Sequence, residues 1–202
     1  MKLSRVYLYA ASVSVLGGLA LSGCSSESRN AANDSFWDPV RLVGVTEVVP
    51  PMSPLELSAE ADSVVVGEIT EHCEGRQIQG DAPEDVVHYR CEVLTIQKVL
   101  HGKDFGSSIE LEFLGQSTEK APLPDGQLVV FVTEKGPREP GKYRATNSYG
   151  IWAATGRSGL DQPLREHAPS AGEETSRDAL AAASNVAELV TWLEGELGEG
   201  VR

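Results

Sequence analysis

The sequence predicts a mainly β fold: a small closed or partly open β-barrel of five to six antiparallel strands, with a short N-terminal helix and an amphipathic C-terminal helix packed on it. Three observations lead there. Short runs rich in Val, Ile, Leu and Phe recur between Gly- and Pro-bearing turns from about residue 63 to 155. Several of them alternate apolar and polar residues with period 2, the signature of half-buried strands. The last stretch changes to steps of three and four: Leu180, Ala183, Val186, Val190, Leu193 and Leu197 share one helical face.

Each element has a local reason. Ser53-Pro54-Leu55-Glu56 is a helix start, with Ser as cap, Pro at the first helical position and Glu able to reach back. A two-turn helix is expected over 55–61. Val64 to Ile69 is a β-branched strand whose Gly67 suggests a bulge or the close approach of another backbone. Residues 71–85 are polar and contain Gly75, Gly80 and Pro83, so a long excursion is expected. Val86 to Leu100 is the longest strand. Val87, Tyr89, Cys91 and Val93 alternate with His88, Arg90 and Glu92, and after Leu94 the apolar set moves to Ile96 and Val99. Such a shift predicts a bulge or bend.

Ile109, Leu111 and Phe113 alternate with Glu110 and Glu112 in the next strand. Leu128 to Val132 is apolar throughout and suits a strand covered on both sides. Tyr143 to Ala154 supplies one or two more strands. Residues 156–172 read as loop, and Thr175 with Asp178 is a possible capping box for the terminal helix.

The N-terminus carries a different kind of signal. Lys2 and Arg5 are the only charges in the first 23 residues, and Val6 to Leu21 is an uncharged run. That pattern reads as a signal peptide, too short for a membrane span of roughly 20 apolar residues. Leu21-Ser22-Gly23-Cys24 resembles the lipobox of bacterial lipoproteins. The resemblance implies a diacylglyceryl group on Cys24, cleavage before it, and anchorage at the outer face of the bacterial cell membrane. The expected organisation is a signal peptide over 1–23, a lipidated flexible tether over 24–35, an N-terminal arm or strand over 36–52, the barrel over 53–155, and a loop with the closing helix over 156–202.

Charge narrows the partners. The chain has 17 basic and 30 acidic side chains, a formal −13, and residues 24–202 alone carry −15. A polyanion needs a basic field, so nucleic acid is excluded as a partner. The expected partners are the lipid bilayer, through acylated Cys24, and an envelope protein or peptide.

With Cys24 acylated, Cys73 and Cys91 remain as an even pair in an oxidising location, and a disulfide is expected. The rival is a metal site made of His72, Cys73, His88 and Cys91. Strand parity opposes it, because residues 88 and 91 face opposite sides of a sheet. No metal or other cofactor is therefore expected. No nucleophile elbow, zinc-binding helix motif or phosphate-cradling loop occurs, and the chain is not expected to be an enzyme. The stretch with most recognition character is 144–152, where Arg144, Asn147, Tyr149 and Trp152 are candidate binding residues, with core packing as the competing role for the two aromatics.

Residues 60–149 resemble the netrin-like and tissue-inhibitor-of-metalloprotease type of OB-fold domain. The matching segments are Ala61-Asp62-Ser63-Val64-Val65-Val66-Gly67-Glu68-Ile69, Val99-Leu100-His101-Gly102 and Asp125-Gly126-Gln127-Leu128-Val129-Val130-Phe131. The resemblance implies an OB-like barrel. It does not carry the inhibitor activity, because that family uses a free N-terminal cysteine at the target's metal, whereas Cys24 is expected to be acylated and held off by a tether.

The function expected is a membrane-anchored extracytoplasmic binding or protein-interaction module without catalysis. The alternatives are a structural envelope lipoprotein with no specific ligand and an enzyme with an unrecognised carboxylate-based site. An exposed apolar patch favours the first, a uniformly solvated acidic surface the second, and paired carboxylates or a perturbed His in a pocket the third.

Overall fold

The computed structural model describes residues 36–37, 52–82, 85–115, 122–137, 139–147, 150–155, 159–161 and 183–199. Helix α1 (Pro54–Glu60) begins with a reciprocal capping box: Ser53 Oγ accepts from the Glu56 backbone N–H, and the Glu56 carboxylate accepts from that of Ser53. Seven strands follow, β1 (Ser63–Gln79), β2 (Val86–Gly102), β3 (Ser108–Leu114), β4 (Leu128–Glu134), β5 (Tyr143–Ala145), β6 (Ile151–Thr155) and β7 (Gly159–Asp161), and then helix α2 (Val186–Glu199).

They form one sheet in the order β1-β2-β3-β5-β4-β6-β7. β1 pairs with β2 along its length and, over Ser63–Gly67, with β4 on its other edge, so the sheet curls back on itself. The seam between β3 and β5 is a single parallel bridge, Leu111 opposite Tyr143. The expected barrel of five to six antiparallel strands is thus corrected. Among the described residues there are seven strands, one pairing is parallel, and no continuous ladder closes the sheet between β3 and β5. The OB-like assignment goes with it.

Two cores flank the sheet. The concave face gathers Val65, Leu94, Leu111, Phe113, Val130 and Ile151 with Phe36 and Trp37. The opposite face packs Val66, Val129, Phe131 and Trp152 beneath α1 and α2 through Leu57, Leu189 and Leu193. β4 lies between them with all of Leu128–Val132 buried. Gly67 sits where a Cβ would meet the Thr95 carbonyl oxygen at 2.4 Å, next to a register shift in the β1–β2 ladder.

Two loops read from composition are strands. Residues 71–79 continue β1, and β7 lies in the stretch read as loop. The excursion is polar because most of its side chains meet water on a two-stranded ribbon, not because its backbone lacks partners. The bend in β2 is resolved into two causes. Its ladder to β3 is regular from Tyr89 to Thr95, whereas Gln97 is skipped in the ladder to β1, between the partners of Val66 and Gly67. The ladder therefore bulges at Gln97, and again at Leu100 between the partners of Val64 and Val65. The earlier change at Leu94 arises because Arg90 and Glu92, not their apolar neighbours, face the concave side.

Helix α2 starts at Asn185, whose Oδ1 accepts from the Glu188 N–H, while the Glu188 carboxylate accepts from the Ser184 N–H and hydroxyl. The Thr175–Asp178 box, Leu180, the run 40–46, the signal and tether segments and Cys24 lie outside the described residues.

Candidate functional site

The β1–β2 ribbon runs on past the end of β3. Its last pairs are Arg76–Tyr89, Gln77–His88, Ile78–Val87 and Gln79–Val86, and β3 reaches it only through Leu114 opposite Tyr89. We call this segment the arm. At its base a disulfide joins Cys73 to Cys91, 18 residues apart and opposite one another in register.

The two faces of the arm's base carry different polar clusters. On the concave side Arg90 bonds Glu92 through Nε and the Phe36 carbonyl through Nη1 at 3.2 Å. Its guanidinium lies 4.2 Å over the Phe36 ring, and His72 Nδ1 is 2.6 Å from the other Glu92 oxygen. Burial pushes the Glu92 carboxyl above the ordinary carboxylate range, outweighing the pull of Arg90 and His72 in the other direction. Phe36 and Trp37 cap this cluster at 4.7 Å between ring centroids. Arg90 Nη2 and Trp37 Nε1 find no acceptor among the described residues.

On the outer side Glu112 is the node. Arg76 donates to both its oxygens at 2.7 and 2.9 Å, and Lys135 Nζ donates at 2.7 Å. Arg76 also pairs with Glu139 at 2.6 Å. Tyr89 lies between the two cations, 4.8 Å from the Arg76 guanidinium and 3.7 Å from Lys135 Nζ. Burial of Glu112 opposes its charge, but the hydrogen bonds from Arg76 and Lys135 prevail and hold its pKa below the usual value. The Arg76 pKa is raised, chiefly by the bond to Glu112. Among the described residues the four charges here cancel in pairs.

Beyond this cluster the same face turns apolar. Ile78, Val87 and Leu114 are 37, 39 and 51 % exposed, three of the four large exposed hydrophobics among the described residues. Register places them on one face beside Tyr89. Along the ribbon that carries them Glu71, Glu74, Asp81 and Asp85 are exposed, Asp81 and Asp85 at its hairpin end and Glu71 opposite Val93 at its base. The recess bounded by Gly75, Arg76, Gln77, His88 and Tyr89 holds about 120 Å³, below the few hundred of a typical small-molecule pocket.

Three of the four residues predicted to bind are described, and they differ in burial. Arg144 is exposed on β5 opposite Thr133. Asn147 is half-buried, with Nδ2 3.3 Å from Met52 Sδ. Trp152 is fully buried in the helix-side core opposite Val129. Tyr149 lies outside the described residues. Of the four residues of the rival metal set, the two sulfurs are bonded to each other, and no group of three or more metal-ligating side chains occurs among the described residues.

The arm was not legible as a site. Ile78 stands alone in a polar stretch, and Leu114 becomes its neighbour only through the pairing of three strands. Glu112 draws its partners from 36 residues upstream and 23 downstream, separations that leave no periodic trace.

No family model matches the chain, and no curated protein matches it. The topology of the sheet thus corrects the netrin-like and tissue-inhibitor resemblance, and no matched family supports it or a lipoprotein family for the residues around Cys24.

Proposed function

We propose that the chain is an extracytoplasmic, non-catalytic interaction module that contacts a protein partner through the arm and is held at the membrane through Cys24. The observation that carries this reading is the exposed apolar stripe of Ile78, Val87 and Leu114. Clustered apolar side chains cost solvation free energy unless something covers them, and a uniformly solvated structural domain has no need of them. Among the described residues no helix is long and apolar enough to cross a membrane; the anchoring half of the reading rests on the Leu21-Ser22-Gly23-Cys24 pattern. The 11 residues between Cys24 and Phe36 span at most about 40 Å when extended. Phe36 packs at the base of the arm, which keeps the stripe within reach of partners at the membrane surface.

The test is site-specific photo-crosslinking in cells, with the reactive residue placed at Ile78 and, as a control, at exposed Asp104. A discrete adduct from position 78 that position 104 does not give supports the reading, and identical adduct patterns refute it. Cys24→Ala is expected to release the protein from the membrane fraction; unchanged fractionation removes the anchoring half.

A further inference from the structure

The chemistry of the arm specifies its partner further. We propose, resting on the interaction reading above, that the arm takes a short polypeptide segment with an apolar centre and flanking Lys or Arg side chains. Three features lead to this occupant.

The first is size. Val87 and Tyr89 are two residues apart on one strand, about 7 Å, with Ile78 opposite Val87 and Leu114 opposite Tyr89. The apolar footprint is thus only two cross-strand pairs long. A broad domain–domain interface buries about 800 Å² on each side, so this stripe suits a linear segment that offers two or three side chains.

The second is charge. Arg76 and Lys135, the cations that lie against Tyr89 among the described residues, are both consumed by Glu112 and Glu139. Glu71, Glu74, Asp81 and Asp85 are exposed, and none is in an ion pair among the described residues. The ribbon that bears the stripe thus carries exposed carboxylates without a cation among the described residues, with Asp81 and Asp85 next to its apolar end, a charge that accelerates encounter with a basic segment and disfavours an acidic one. The same four carboxylates oppose docking of the arm on an anionic lipid surface, so a polypeptide is favoured over the bilayer itself.

The third is support. The stripe stands on a ribbon pinned by the Cys73–Cys91 bond and by the Glu112 cluster. A rigid platform loses little conformational entropy when a segment binds.

The experiment uses the full chain in detergent and three fluorescent nine-residue peptides, alternating Lys–Val, Glu–Val and Lys–Ser, read by anisotropy at low salt. The Lys–Val peptide is expected to bind at least about tenfold more tightly than either of the others, because only it satisfies both the stripe and the charge. The variant I78S/V87S/L114S is expected to lose that preference. The variant E71K/E74K/D81K/D85K, which leaves the stripe intact, is expected to transfer it to the Glu–Val peptide. Equal binding of Lys–Val and Glu–Val overturns the charge rule, and equal binding of Lys–Val and Lys–Ser overturns the role of the stripe. Association of the wild-type protein with phosphatidylglycerol vesicles through the same three apolar residues overturns the choice of a polypeptide. If no peptide binds while position 78 still crosslinks a discrete protein in cells, the partner chemistry is wrong and the interaction reading stands. If position 78 crosslinks nothing, that reading falls as well.

Discussion

Replacing Glu112 tests whether the outer cluster is a coupled unit. Its carboxylate side chain is 1 % exposed and accepts three hydrogen bonds, while Lys135 is 8 % exposed with Glu112 as its carboxylate partner. In Glu112→Leu, Arg76 keeps Glu139 at 2.6 Å and is the more solvated of the two cations, so it loses little. Among the described residues Lys135 is left buried with only the Tyr89 ring, 3.7 Å away. An uncompensated buried charge costs about 3–5 kcal/mol, and the ring returns roughly 1 of these, so a loss of about 3 kcal/mol is expected. Lys135→Met removes one of the three donors while the bidentate Arg76 remains, a loss of about 1 kcal/mol. The double variant no longer contains the orphaned ammonium and is expected to lose about 2 kcal/mol, not 4, a coupling of about 2 kcal/mol. Guanidinium unfolding of the four proteins, analysed with a common slope, measures each value. Losses that add to within ~0.5 kcal/mol would refute the cluster as a unit. Because the pKa of Glu112 is held down, its stabilisation is present above the unfolded carboxylate value of about 4.3 and is lost as pH falls below it. The gap between wild type and Glu112→Gln is accordingly expected to narrow on acidification.

Three further outcomes follow from the same geometry. Glu92 has the opposite sign: its pKa is raised by burial, so its contribution is fully present below about pH 4.3 and declines as pH rises through its folded pKa. The advantage of wild type over Glu92→Gln is therefore expected to shrink from pH 4 to 7 in urea titrations, and a growing advantage contradicts the assignment. Reducing the Cys73–Cys91 bond opens a closure of 18 residues and is expected to cost about 3 kcal/mol in the chain-entropy account; an unchanged unfolding midpoint with reductant argues that the ribbon holds itself. Gly67→Ala places a methyl 2.4 Å from the Thr95 carbonyl oxygen, so a loss of about 1–3 kcal/mol is expected from forced backbone movement, and a neutral thermal melt contradicts the close approach.

Much of the local architecture is written in short-range pattern. Ser53-Pro54 with Glu56 specifies the start of α1 because all its partners lie within one helical turn. The uninterrupted run Leu128–Val132 marks a strand buried on both faces, since neither side offers water to a polar residue. The parity of Val87 to Val93 misleads for a physical reason. In β2 the buried face carries Arg90 and Glu92, which neutralise each other, while Val87 stays exposed on the arm, so the polar side of the alternation is the inner one. In the same way Glu112 has the spacing of a solvent-facing residue, yet Arg76 and Lys135 close over it. The sequence leaves Trp152 between recognition and core packing, and only the pairing of β6 with β4 beneath α2 decides for the core.

By itself the sequence determined the uncharged N-terminal segment, the acidic balance, the capped helix, the strand-rich middle and the apolar face of the last helix, all of which depend on composition or on neighbours within a turn or two. Tertiary structure alone decided that the sheet curls without closing, that two ion clusters are buried back to back at the arm's base, and that Ile78, Val87 and Leu114 share one surface. Those outcomes depend on pairings between residues tens of positions apart, and a periodicity of two or 3.6 carries no information about which distant strand will lie alongside.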